Sequence, residues 1–109
     1  PLITPRVRKY LAASAGFDAQ AWRAWQVQWF GAGLRAFEQR LAGEGATGRF
    51  CHGDQPTLAD ICPASIFAVT RVLKIGFDDL PTATRVMAEC EKLAAFAAAD
   101  PARQAGAPA

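Results

Sequence analysis

The feature that most constrains the fold is a helix start signal in the middle of the chain, within residues 48–66 (GRFCHGDQPTLADICPASI). Thr57 and Asp60 are three residues apart and precede an apolar run, which is the spacing of a capping box. The Thr57 hydroxyl can accept a hydrogen bond from the backbone N–H of residue 60, while the Asp60 carboxylate accepts one from the N–H of Thr57. The pattern therefore predicts a well-defined start for a central helix.

Apolar residues at steps of three and four predict the other helices. One helix is expected within residues 1–14, and a second from about residue 18, with Asp18 as its N-cap, to about residue 41. The central helix is expected from residue 56 or 57 to about residue 75, buried nearly all round. After a break at residues 76–79, helical spacing resumes at Pro81 and continues to Phe96, and the tail from about residue 100 is expected to be irregular.

No segment shows the alternation of a strand, so the sequence predicts an all-α bundle of four to five helices. The chain has 109 residues, which is enough for one hydrophobic core, and we expect a single domain over residues 1–109. Hydrophobic residues make up 51% and charged residues 20%, which indicates a globular chain. A net charge of +2 without a concentrated basic stripe argues against a nucleic-acid partner.

The apolar stretches are shorter than the ~20 residues of a spanning helix, which argues against a membrane protein. The sequence shows no basic segment followed by an apolar leader, which argues against a secreted protein. Three widely spaced cysteines, Cys51, Cys62 and Cys90, are an odd number, which favours reduced thiols and a cytoplasmic protein. Each cysteine is expected to be a small buried hydrophobic residue.

The chain contains no self-contained catalytic or metal site by sequence. Cys51, His52, Asp54 and Cys62 lie close together, but they lack the paired spacing of zinc ligands. His52 has no histidine partner and no serine in a nucleophile elbow, so a solvated loop position is expected. No glycine-rich phosphate loop is present either.

Several segments resemble the C-terminal domain of glutathione transferases, and in particular the zeta class, the maleylacetoacetate and maleylpyruvate isomerases. The capping box with its flanking residues resembles the superfamily's N-capping box, and three further segments resemble zeta-class motifs. The matching residues are Gly53-Asp54 with Pro56 to Ile61; Arg6-Val7 with Lys9-Tyr10-Leu11; Trp25, Trp29, Gly33, Ala36 and Glu38; and Pro81-Thr82, Arg85, Ala95-Phe96, Ala98-Ala99, Pro101, Arg103-Gln104 and Pro108.

The resemblance implies that the intact protein has a thioredoxin-like N-terminal domain, which binds glutathione and carries a serine that activates its thiol. The reaction would be the cis–trans isomerisation of a maleylacetoacetate-type diacid, or glutathione conjugation. This chain would supply one wall of the substrate cleft and part of a homodimer interface, with no catalytic residue of its own. It is therefore expected to be inactive alone.

The resemblance also implies site residues. The family's N-L-R segment near glutathione falls on Thr4, Pro5 and Arg6, which makes Thr4 and Arg6 candidate glutathione contacts; a solvated helix charge is the alternative for Arg6. Arg71 falls at, or one place before, an arginine suited to a substrate carboxylate, with a surface ion pair as the alternative. Residues 63–66 replace the family's L-V-P-Q continuation.

A second hypothesis retains the all-α fold but gives the domain no part in catalysis. Helical domains of this kind also occur as non-catalytic protein interaction modules. The sequence preceding Pro1 discriminates between the two, because a thioredoxin-like segment with a serine motif favours the enzyme. In either case Trp25 and Trp29, one helical turn apart, are expected to serve in core or interdomain packing.

Overall fold

The computed structural model describes residues 2–107, and within them it is built from α-helices joined by loops, with no strand. The all-α prediction is therefore confirmed. Pro1, which begins the first predicted helical segment, and Pro108, which is among the residues that resemble the zeta class, lie outside the described residues. The helices are α1 (Pro5–Ala15), α2 (Ala19–Gly43), α3 (Leu58–Val72), α4 (Pro81–Glu91) and α5 (Ala94–Ala98), followed by a 3₁₀ turn at Pro101–Arg103.

The chain divides into two compact units, Pro1–Ala36 and Phe37–Ala109. The first unit contains α1 and most of α2. Its Gly16 ends α1 in the left-handed region at φ 66°, which glycine adopts without strain. Asp18 then caps α2, since its carboxylate accepts a hydrogen bond of 2.8 Å from the N–H of Ala21, as the sequence predicts.

The second unit contains the end of α2, a loop, and helices α3 to α5. Helix α3 packs on α4, and α4 packs on α5. The buried apolar residues of this unit come from all of these elements except α5, and α4 contributes the largest share: Leu41, Phe50, Cys51, Ala68, Ile75, Leu80, Ala83, Val86, Met87 and Cys90.

Two predictions about these helices are wrong. The apolar residues of α3 are not buried all round, since Leu58 is 79% exposed and Ile61 is 53% exposed. The helix predicted from Pro81 to Phe96 is two helices, because α4 ends at Glu91 and Leu93 has an extended backbone (ψ 131°) before α5 starts.

Pro63 lies within α3, which continues past it. The tail predicted to be irregular contains the 3₁₀ turn.

Candidate functional site

The Asp60 carboxylate is fully buried and joins three parts of the second unit. Its Oδ2 accepts hydrogen bonds from the Thr57 N–H (2.7 Å) and the Thr57 hydroxyl (3.2 Å), and the Thr57 hydroxyl accepts one from the Ala59 N–H (3.2 Å). A capping box is present at the start of α3, as predicted; the Thr57 hydroxyl takes its 3.2 Å hydrogen bond from Ala59, while the predicted donor, the Asp60 N–H, lies 3.0 Å from the Thr57 carbonyl oxygen. The other carboxylate oxygen of Asp60, Oδ1, accepts a hydrogen bond from the Cys51 N–H (2.8 Å) and faces the Cys90 thiol (3.9 Å). One side chain therefore holds the loop, α3 and α4 together.

Burial and hydrogen bonding act in opposite directions on this cluster. Burial alone would raise the pKa of Asp60, but the hydrogen bonds from Cys51 and Thr57 outweigh it and hold that pKa below its usual value. Burial, together with the neighbouring Asp60 charge, raises the pKa of Cys51 to about 12 and that of Cys90 to about 11. Both thiols are therefore protonated at neutral pH and are not nucleophiles. Cys62 is exposed, so its predicted burial is wrong.

A second buried carboxylate, Glu38 at the end of α2, caps helix α4. Its Oε1 accepts from the Thr82 N–H (3.0 Å) and its Oε2 from the Ala83 N–H (2.7 Å). Helix α4 needs this acceptor, because the residue at its own N-cap position, Leu80, offers no side-chain hydrogen bond. Burial alone would raise the pKa of Glu38, but the hydrogen bonds from Ala83 and Thr82 outweigh this effect and hold that pKa below its usual value. Glu38 therefore plays a structural part.

The loop between α2 and α3 is fixed by an ion pair and a hydrogen bond to α4 and by a hydrogen bond within the loop. The Arg85 guanidinium donates to the Gly48 carbonyl oxygen (3.0 Å), and Arg49 Nε lies 2.8 Å from a carboxylate oxygen of Glu89. The Asp54 side chain accepts from the Arg49 N–H (3.0 Å). His52 is exposed, as expected for a solvated loop residue.

A cavity of about 530 Å³ lies between α3, α4, α5 and the tail. Its lining is mainly apolar and includes Phe67, Met87 and Phe96. Four charged residues also line it, two from the helices (Arg71 and Glu91) and two from the tail (Asp100 and Arg103). An apolar concavity with a few polar groups is the usual form of a binding site for a ligand or a neighbouring side chain.

Arg71, the predicted substrate contact, lies at this cavity in an ion-pair network. Its Nη1 pairs with the Glu91 carboxylate, and its Nη2 lies 3.9 Å from the Asp100 carboxylate. The arginine side chain is 53% exposed. The ion-pair alternative is thus what the structure shows for Arg71, and contact with a substrate stays a prediction.

The two candidate glutathione contacts, Thr4 and Arg6, lie in the first unit, whereas Arg71 lies in the second. Thr4 is the N-cap residue of α1, although its side chain makes no capping hydrogen bond, and Arg6 is exposed on the first turn. Their roles toward glutathione stay predictions.

Trp25 is a packing residue of the first unit. Its indole N–H donates to the Leu2 carbonyl oxygen (2.7 Å), and its ring meets Phe17 and Trp29 edge to face, with centroids 5.8 and 5.6 Å away. Trp29 itself is 40% exposed.

Within residues 2–107, no group of three or more His, Cys, Asp or Glu side chains is arranged to hold a metal ion. None of the helices in that part of the chain has the length and hydropathy to cross a membrane.

Sequence reasoning missed two of these features. The Glu38 cap joins residues 45 positions apart, and the Cys90 thiol reaches a carboxylate 30 positions away. One signal was available for the first: a helix starting at Leu80-Pro81 has no capping side chain of its own, so its N–H groups need an acceptor from elsewhere. No local signal marks the second.

The chain is similar in sequence to a known domain family and to several known proteins. The family model for the glutathione S-transferase C-terminal domain matches residues 31–94. The chain is 36% identical over 104 residues to a maleylpyruvate isomerase from Ralstonia, and the aligned segment covers 95% of this chain and 49% of the relative. It is 37% identical over 91 residues to a maleylacetoacetate isomerase from Rhizobium meliloti, covering 84% of this chain and 42% of the relative.

Two solved structures of related proteins superpose closely on this chain. A maleylacetoacetate isomerase from Methylobacterium extorquens AM1, with bound malonate and GSH, superposes with a TM-score of 0.94 at 39% identity, covering 100% of this chain and 51% of that one. A bacterial zeta-class maleylpyruvate isomerase superposes with a TM-score of 0.91 at 34% identity, covering 99% of this chain and 51% of that one. The chain thus spans about half the length of the proteins it matches. It belongs to the glutathione S-transferase C-terminal domain family, and within that family it resembles the zeta-class maleylacetoacetate and maleylpyruvate isomerases.

Proposed function

We propose that the chain is the C-terminal domain of a glutathione-dependent enzyme that isomerises a maleylacetoacetate- or maleylpyruvate-type diacid, or conjugates glutathione to a related acceptor. The observation that carries this proposal is the 36% identity to a maleylpyruvate isomerase across 95% of the chain.

The chemistry of the described residues supports a division of labour. The buried carboxylates of Asp60 and Glu38 are occupied by backbone N–H groups, and the buried thiols Cys51 and Cys90 are protonated. Cis–trans isomerisation of such a diacid can be catalysed by a thiolate that adds to the double bond and leaves again after rotation about the resulting single bond. Glutathione, when bound, would supply that thiol from a thioredoxin-like N-terminal domain whose serine activates it. The present chain alone is then inactive.

The substrate class is supported by the relative from Methylobacterium extorquens, which binds malonate, a dicarboxylate, together with GSH. In the intact enzyme Arg6 and Thr4 are the proposed glutathione contacts on this chain. Arg71 is the proposed contact for a substrate carboxylate, which would require the guanidinium to exchange its present partners, Glu91 and Asp100, for the ligand. A cytoplasmic homodimer is the proposed form of the intact protein.

The test is an isomerisation assay on the intact protein. Maleylpyruvate and maleylacetoacetate are each followed by absorbance with glutathione, without it, and with S-methylglutathione, which has no free thiol. We expect turnover of at least one diacid with glutathione and none in the two controls. No turnover of either diacid, in an intact protein that lacks a thioredoxin-like half, would instead support the alternative of a non-catalytic interaction module.

A further inference from the structure

Charge is divided unevenly between the two units of the chain. The first unit contains five basic side chains and a single acidic one, Asp18, whereas the second contains seven basic and nine acidic side chains. The Asp18 carboxylate caps the start of α2. Three of the five basic side chains, Arg6, Arg8 and Lys9, lie within about one turn of α1, which has no acidic residue. The first unit is therefore locally cationic, although the whole chain has a net charge of only +2.

The cations of α1 differ from most of those in the second unit because they have no acidic partner. Arg6, Arg8 and Lys9 are exposed, and none of them forms an ion pair within residues 2–107. Four of the seven basic side chains of the second unit pair with a glutamate: Arg40, Arg49, Arg71 and Lys92. A paired charge is largely cancelled at a distance, whereas an unpaired one attracts anions from the solvent. Helix α1 is therefore a source of positive potential.

The α1 cations lie close to the proposed contact for an anionic ligand. Arg6 is one of the proposed glutathione contacts, and Arg8 and Lys9 lie within one helical turn of it. Glutathione has two carboxylates and one ammonium group at neutral pH, so it approaches the protein as an anion. A cation about 10 Å from such a ligand raises its local concentration by up to about two-fold in water of low ionic strength. Arg8 and Lys9 together would raise it by up to about four-fold.

We propose that Arg8 and Lys9 steer glutathione toward its site through their electrostatic field, without contacting the bound tripeptide. This inference rests on the proposed function, from which it takes the glutathione contact at Arg6. Attraction through a field weakens steeply as ionic strength rises, because salt screens charges that are separated by more than a few ångströms of water. A direct hydrogen-bonded contact is screened much less. Salt therefore separates the field of these two side chains from a contact made by either.

The test measures the dissociation constant of glutathione by calorimetric titration of the intact protein at ionic strengths of about 20 and 500 mM. The double variant Arg8→Ala/Lys9→Ala should bind glutathione about two- to four-fold more weakly than the wild type at the lower ionic strength. The two proteins should bind equally at the higher ionic strength, where the Debye length is about 4 Å. Equal binding at the lower ionic strength would overturn the inference. A loss that persists at the higher one would reveal a direct contact and would also overturn it.

Two control variants distinguish the position of the charge from its amount and from its shape. Arg40→Ala/Lys92→Ala removes the same number of positive charges from exposed ion pairs of the second unit and should leave glutathione binding unchanged. A loss equal to that of the α1 variant would show that net charge alone is responsible, which overturns the inference. Arg8→Lys keeps the charge and should bind like the wild type, whereas weaker binding would indicate a guanidinium contact and count against steering.

The isomerisation assay on the same proteins separates this inference from the proposed function. Turnover of a diacid by a protein whose α1 variant binds glutathione as tightly as the wild type would overturn steering and leave the proposed function in place. Salt-dependent weakening of glutathione binding in the α1 variant of a protein that turns over neither diacid would support steering and reject the proposed isomerisation. An intact protein that does not bind glutathione would overturn both.

Discussion

Asp60 shows how a single side chain can hold several elements of a small domain. It lies three residues after Thr57, so the capping bonds at the start of α3 follow from local sequence: Asp60 accepts from the Thr57 N–H, and the Thr57 hydroxyl accepts from the Ala59 N–H. Its other oxygen accepts from the Cys51 N–H and faces the Cys90 thiol, which ties the preceding loop and α4 to the start of α3. A buried charge is tolerated in this position because hydrogen-bond donors surround it.

Replacement of Asp60 should therefore be costly. Asp60→Ala leaves the Cys51 and Thr57 N–H groups without their acceptor, and we expect the free energy of unfolding to fall by about 2–3 kcal/mol, measured by urea denaturation. Asp78→Asn, at an exposed loop position, is the control and should change the stability by less than about 0.5 kcal/mol. A midpoint for Asp60→Ala equal to that of the control would contradict the role assigned to the carboxylate.

The acid side of the stability profile should depend on Asp60 and Glu38. Both have folded-state pKa values below their ordinary values of 3.8 and 4.5. The unfolded chain then binds protons more readily, so the stabilisation is present above the unfolded-state pKa and is lost as the pH falls through the folded-state pKa. We expect stability to fall below about pH 5, and to fall less steeply in Asp60→Asn. An unchanged slope in that variant would show that other groups are responsible.

Gly48 illustrates a steric constraint at the residue scale. A Cβ atom at this position would lie 2.8 Å from the Gly53 carbonyl oxygen and 2.9 Å from Asp54 Oδ1. The backbone oxygen cannot move cheaply, so Gly48→Ala should lower the stability by about 1–3 kcal/mol. Gly45→Ala, where nothing lies within 4 Å of the new atom, is the matched control and should be nearly neutral. Thermal unfolding of the two variants compares them directly, and equal midpoints would refute the steric argument.

Among the elements, α4 depends most on a residue remote in sequence. Its N-terminal N–H groups at Thr82 and Ala83 are satisfied by Glu38, which belongs to α2. Glu38→Ala should remove two hydrogen bonds to a charged acceptor and lower the stability by about 2 kcal/mol. Hydrogen exchange should accelerate at the start of α4. Glu44→Ala, which removes a partly exposed acid paired with Arg40, should leave exchange in α4 unchanged, and similar exchange in both variants would exclude the capping role.

The elements also show where sequence reasoning succeeds and where it stops. The start of α3 could be predicted because its signal spans three residues. The boundary between α4 and α5 could not, since Val86, Cys90, Leu93 and Phe96 keep helical spacing across the break. Periodicity reports which residues share a face, and it does not report a backbone that leaves the helix for one residue.

Burial of α3 was overpredicted for a related reason. Its apolar residues predict a helix that needs covering, but they do not say whether this chain or another domain covers it. The capping box, the Asp18 cap and the all-α class follow from local patterns, whereas the Glu38 cap and the cavity arise from residues that only the fold brings together.

At the scale of the whole molecule, the chain corresponds to about half the length of the proteins that it matches. It matches 49% of a maleylpyruvate isomerase and 51% of a maleylacetoacetate isomerase structure. Within residues 2–107 the buried carboxylates of Asp60 and Glu38 accept hydrogen bonds from backbone N–H groups, and α3 exposes several apolar side chains beside the cavity. The proposed function accordingly assigns the cofactor chemistry to a second domain and the cleft wall to this one.

The most direct test of this division is calorimetric titration of glutathione into the intact protein and, separately, into the 109-residue chain, with circular dichroism used to verify that the chain is helical. The account predicts saturable heat for the intact protein and none for the isolated chain, because Thr4 and Arg6 alone offer too few contacts to hold the tripeptide. Saturable micromolar binding of glutathione by the isolated, folded chain would contradict it.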